Sequence, residues 1–106
     1  MNQNKNILIS DIKKLSNLLD KQYNLELNFR NHCYLRIAYD AVVQDKWDSI
    51  VKKPFTKFAN EEQLIQAIQL LKIYQNDKSK LLLDNQKSLV FRQRKNAIKV
   101  IPDTLF

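Results

Sequence analysis

The sequence predicts an all-α protein: a small bundle of about four helices, with a buried central helix over about 29–51 and an extended C-terminal tail over 97–106. Three observations lead there. Apolar residues recur at helical spacing along most of the chain. Asparagines stand at the expected caps and breaks. The 106 residues include no glycine, where an average composition would give roughly seven. Glycine supplies positive φ at no steric cost, so its absence argues against tight hairpins and glycine-based phosphate loops.

The first helix is expected from about Asn6 or Ser10 to Tyr23. Leu8, Ile12, Leu15, Leu19 and Tyr23 form its stripe and Leu18 widens it. Residues 24–28 alternate polar and apolar and read as a connector, because a lone strand lacks a partner. Asn28 or Asn31 is a good N-cap for the second helix, which Pro54 must stop after about Val51. At 100° per residue that helix has two apolar faces. Tyr34, Ile37, Ala38, Ala41 and Val42 make one; Phe29, Cys33, Val43, Trp47, Ile50 and Val51 make the other. A helix apolar on both sides lies between neighbours.

Phe55 and Phe58, in the connector after Pro54, are expected to plug the core. Asn60-Glu61-Glu62-Gln63 is a capping-box signature. It opens a third helix with Leu64, Ala67, Ile68, Leu71 and Tyr74 on its stripe, broadened by Ile65 and Leu70. Asn76-Asp77 marks a break, with Asn76 suited to a left-handed C-terminal position. The fourth helix covers about Lys78–Lys95 with Leu82 and Leu89 as anchors. A single domain of 1–106 fits this length.

Arg36 and Asp40 fall within the second face of the central helix, four residues apart. Arg before Asp is the weaker order for an exposed pair, which points away from surface decoration. The pair is expected either as a buried ion pair beneath Trp47 and Phe29, or in a groove that binds a partner with His32, Tyr39 and Trp47. Two basic clusters are the other candidates. Lys52, Lys53 and Lys57 flank Pro54; Lys87, Arg92, Arg94, Lys95 and Lys99 run without an acid and include Phe91 beside Arg92. Cations beside an aromatic suit phosphate and base contacts. The formal net charge is +7, yet 14 of the 18 cations are lysines, and arginine is the better mark of shaped phosphate recognition.

Cys33 is the sole cysteine and His32 the sole histidine, so no disulfide and no closed zinc site are expected. Cys33 reads as a small buried thiol. No phosphate loop, nucleophile elbow, HExxH or CxxC occurs. The expectation is a non-enzyme without metal or cofactor. Ile7-Leu8-Ile9 is too short for a secretion signal, and no stretch approaches the ~20 apolar residues of a membrane span. These features place the chain as a soluble cytoplasmic protein.

The leading expectation is a helical interaction module, an adaptor or inhibitor that binds a protein partner. Its size and charge suit a small bacterial, phage or mobile-element product that blocks a host complex. The alternative is nucleic-acid binding through the clusters at 52–57 and 87–99, forming one surface if the second and fourth helices lie side by side. A homo-oligomer through the second face of the central helix is a third reading.

Overall fold

A computed structural model describes residues 2–96, with side chains from 4 to 93. The tail expected at 97–106, including Lys99, lies outside the described residues. The elements are α1 (Asn2–Tyr23), α2 (Asn31–Val43), a 3₁₀ turn (Trp47–Ser49), α3 (Phe55–Phe58), α4 (Glu61–Asn76) and α5 (Lys78–Asn96). No strand occurs among the described residues. The protein is an all-α bundle in which α2 touches α1, α4 and α5. The central position expected of the second helix therefore holds.

Helix α1 begins earlier than expected, at Asn2, and ends at Tyr23. Ile12, Leu15, Leu19 and Tyr23 are buried, whereas Leu18 is exposed and does not widen the stripe. Helix α1 packs principally on α4, whose Leu64, Ala67, Ile68, Leu71 and Tyr74 are all buried as expected. The capping box is present. Asn60 Oδ1 accepts from the Gln63 amide at 2.8 Å, and Gln63 Oε1 accepts from the Asn60 amide at 3.0 Å.

The helix expected over 29–51 is shorter at both ends. Neither Asn28 nor Asn31 caps it; Arg30 holds the N-cap position without a side-chain bond, and Asn31 donates to Asn17 Oδ1 at 3.0 Å. At the other end Gln44 turns left-handed (φ 57°, ψ 40°), and its amide bonds to the Asp40 carbonyl. In an unbroken helix the Trp47 amide would bond to Val43 four residues back. Instead it donates to Asp40 Oδ1 at 2.9 Å. The Asp40 side chain thus competes with the helix ladder, as short acidic side chains do. Pro54 was not needed to stop the helix.

Gln44 is the left-handed residue of the described chain; Asn76 is not. A side chain in that region costs about 1–2 kcal/mol, part of which glycine gives back in unfolded-state entropy. Gln44→Gly is therefore expected to stabilise the protein by about 0.5–1 kcal/mol, read as a higher urea midpoint at unchanged slope.

After the 3₁₀ turn, Phe55 enters the core but Phe58, three residues on, is 48% exposed. Asp77 separates α4 from α5 with a non-helical backbone (φ −139°, ψ 87°). Its own amide ends α4 by bonding to Ile73 O, and its Oδ1 accepts from the Lys80 amide at 3.0 Å to start α5. Aspartate performs both duties without a left-handed residue.

Helix α5 is turned the opposite way from expectation. Leu82 and Leu89 are not its anchors. Among its described side chains the buried residues are Leu81, Asp84 and Ser88, while Leu82 (37%), Leu83 (47%), Leu89 (45%) and Val90 (39%) are exposed. At about 100° per residue the two groups fall on opposite sides. The helix lies against α2, and to a lesser extent α4, through a mostly polar stripe.

Candidate functional site

The polar stripe can be buried because its side chains find partners. Asp40 of α2 is fully buried and accepts four bonds, two at each oxygen. Oδ1 takes the Trp47 amide (2.9 Å) and Arg92 Nη2 (3.0 Å). Oδ2 takes Arg92 Nε (2.9 Å) and Ser88 Oγ (2.5 Å). A two-point guanidinium–carboxylate contact is the strong form of this pairing. Asp40 thereby fixes α5 through two residues and the turn after α2 through a third.

The ion pair expected between Arg36 and Asp40 is replaced by one between Arg92 and Asp40 at 2.9 Å. Arg36 reaches the same centre indirectly. Its Nη1 donates to Ser88 Oγ at 2.9 Å and its Nη2 to Asn85 Oδ1 at 2.9 Å. The four-residue spacing on one helix concealed a partner 52 residues away on another. Arg36→Met is therefore expected to cost only about 1–2 kcal/mol, the worth of charge-assisted bonds to neutral partners. Asp40 keeps its bonds from Ser88, Arg92 and Trp47. A chemical denaturation showing a loss above about 3 kcal/mol would contradict this arrangement.

A second polar centre anchors the start of α5. Tyr74 Oη donates to Asp84 Oδ2 at 2.6 Å, and Lys80 Nζ contacts Asp84 Oδ1 at 3.0 Å. Tyr23 Oη donates to the Tyr74 carbonyl at 2.6 Å, which ties α1 to the same place. Burial, and then the bond to Asp84, raise the Tyr74 phenol far above its ordinary pKa. The phenol stays protonated and acts as a fixed donor.

The residues singled out in the sequence do converge. His32, Leu35, Arg36, Tyr39, Trp47, Asp48, Lys53 and Arg92 line an open groove of about 310 Å³ between α2, the turn and α5. Tyr39 is buried, with its phenol pushed up to about 12 by burial; Trp47 is half-buried and His32 exposed. Lys53 lies 3.6 Å from Asp48 Oδ2. The groove carries the cations Arg36, Arg92 and Lys53 against Asp40 behind it and Asp48 within it, a nearly balanced set. Cys33 is half-buried rather than buried.

Helices α2 and α5 lie side by side, the condition under which the basic clusters would share a surface. Among the described residues the clusters meet in this groove at Lys53 and Arg92. Arg92, however, is engaged by Asp40. Lys52 and Lys57 sit elsewhere, over the exposed Phe58 ring at 5.9 and 5.4 Å from its centre. Lys87 is exposed on the outer side of α5. Arg94 and Lys95 lie on the last turn of α5, where side chains are not described.

The outer face of α5 is the feature that the sequence reading missed. Leu83, Gln86, Lys87, Val90 and Phe91 line an open groove of about 420 Å³ with Gln44 at its edge. Leu82 and Leu89 are exposed about 100° further round α5. The groove's signal is the pair Leu83 and Val90, seven residues apart, beside Leu82 and Leu89, which alone are expected as anchors. Among the described residues no three of His, Cys, Asp or Glu converge, and no helix is long and apolar enough to cross a membrane.

Fold and site together define an all-α bundle whose last helix is held by polar bonds and shows its aliphatics to solvent. No protein-family model matches the chain, and no curated protein or solved structure is significantly similar to it.

Proposed function

We propose that this protein is a helical interaction module that binds another protein through the outer face of α5. The orientation of α5 supports this reading. Burying an aliphatic side chain is worth about 1.5–3 kcal/mol. Helix α5 turns Asp84 and Ser88 inward and leaves Leu82, Leu83, Leu89 and Val90 between 37% and 47% exposed, so the bundle forgoes roughly two-fifths of that stabilisation at each. Single exposed aliphatics need no explanation, but Leu83, Val90 and Phe91 converge on one groove, and apolar side chains gathered in this way suit an interaction surface. The engagement of Arg36 and Arg92 within the fold favours a protein partner over nucleic acid.

Capture from an extract of the native host tests the reading. The partner should be a protein, resist nuclease, tolerate salt, and be lost with the surface variant Leu83→Asn/Val90→Asn. Salt-labile, nuclease-sensitive capture that disappears with Lys52→Gln/Lys57→Gln would instead favour nucleic acid. One observation supports that second reading: the exposed Phe58 ring has two lysine ammonium groups 5.9 and 5.4 Å from its centre, a combination suited to an unstacked base and its phosphates.

A further inference from the structure

We infer that the occupant of the α5 face is an amphipathic helix of a different protein, with carboxylates along one edge. The inference rests on the interaction-module reading and adds the chemistry of the partner. Leu82 and Leu89 are seven residues apart, as are Leu83 and Val90, and Gln86 and Gln93 lie between the two rows. The groove lining itself, Leu83, Gln86, Lys87, Val90 and Phe91, falls at i, i+3, i+4, i+7 and i+8, a single helical face that another helix can cover. Groove-bound helices are read by anchors at this kind of interval.

Charge selects the partner. The only carboxylate in α5 is Asp84, which is buried against Tyr74 and Lys80. The charge on the rim of the groove is Lys87, exposed and without an ion-pair partner among the described residues. The whole chain carries a net charge of +7. An acidic edge on the incoming helix therefore meets complementary potential. A second copy of this chain does not. Residues 82–90 are centred at Gln86, so an antiparallel two-fold pair sets Lys87 beside its own copy, and like charges at that range repel.

The test uses two synthetic amphipathic peptides of roughly three heptads. They share a leucine seam and differ only in having Glu or Lys along the edges. Each is titrated into the isotope-labelled full chain and followed by amide chemical shifts. The Glu peptide is expected to perturb residues 82–93 and Gln44. Lys87→Glu should weaken it by about tenfold. Leu83→Asn/Val90→Asn, which alters only exposed positions and should melt as the parent does, should abolish it.

Equal binding of the Lys peptide, binding of neither, shifts centred on another surface, or a concentration-dependent dimer through α5 would each overturn the inference. The host capture separates the two levels. If Leu83→Asn/Val90→Asn abolishes protein capture while the Glu peptide fails to bind, the module stands and the acidic helix falls. If neither responds to the variant, both fall.

Discussion

Asp40→Ala is expected to lower stability by about 3–5 kcal/mol, the range for removing one partner from a buried ion pair. The carboxylate is wholly buried and receives four bonds, so its loss leaves the Arg92 guanidinium, the Ser88 hydroxyl and the Trp47 amide to find new partners. For a domain whose total stability is of order 5–15 kcal/mol, this approaches unfolding. Asp40→Ala with Arg92→Met should recover part of the loss, because a buried pair replaced by apolar groups leaves no charge stranded. Urea denaturation of the two single variants and the double gives the coupling. A loss below about 1 kcal/mol for Asp40→Ala would show that the polar stripe does not hold α5. The consequence extends to binding. If Asp40 fixes α5, its removal should blunt the response of residues 82–93 to the acidic peptide even in the fraction that stays folded.

The helices were legible because local chemistry and burial agree along most of the chain. The Asn60 capping box, the α4 stripe and the Asn76-Asp77 break follow from neighbouring residues alone. The largest errors share one cause. Where a side chain bonds across a long separation, local pattern misleads. Asp40 captures the Trp47 amide and ends α2 at Val43, although the apolar pattern continues to Val51. Arg92 takes Asp40 from Arg36. In α5, Tyr74, Arg36 and Asp40 satisfy Asp84, Asn85, Ser88 and Arg92, so the polar stripe turns inward and the leucines turn out. An apolar stripe reads as core only when no polar stripe has partners waiting, and those partners sit 10 to 52 residues away. Of the candidate site, Tyr39 and Trp47 pack on Phe55, whereas Arg36 and Asp40 form the attachment of α5. The face that it displays was hidden by the assumption that leucines are buried.

Phe55→Ala is expected to cost about 3–5 kcal/mol, as large as the loss of Asp40 but by a different mechanism. The ring stacks on Tyr39 with centroids 3.8 Å apart and planes 12° from parallel. Trp47 meets both edge-on, at 5.5 Å from Phe55 and 5.6 Å from Tyr39. Phe55 is 2% exposed and belongs to a four-residue helix too short to persist alone, so packing rather than propensity holds it. Alanine removes the ring from between two others and leaves a cavity. Leucine, nearer in volume, should cost much less. Phe58→Ala on the same short helix is the control and should cost no more than about 1.5 kcal/mol, because about half of that ring is already exposed. Trp47 fluorescence provides a local readout, with a red shift expected for Phe55→Ala and none for Phe58→Ala. The Asp40 bonds lie on the side of α2 that faces α5, whereas the aromatic cluster closes the connector against α2. Folded Phe55→Ala should therefore still bind the acidic peptide, while folded Asp40→Ala should not. That difference would separate the packing that stabilises the bundle from the polar contacts that present its binding helix.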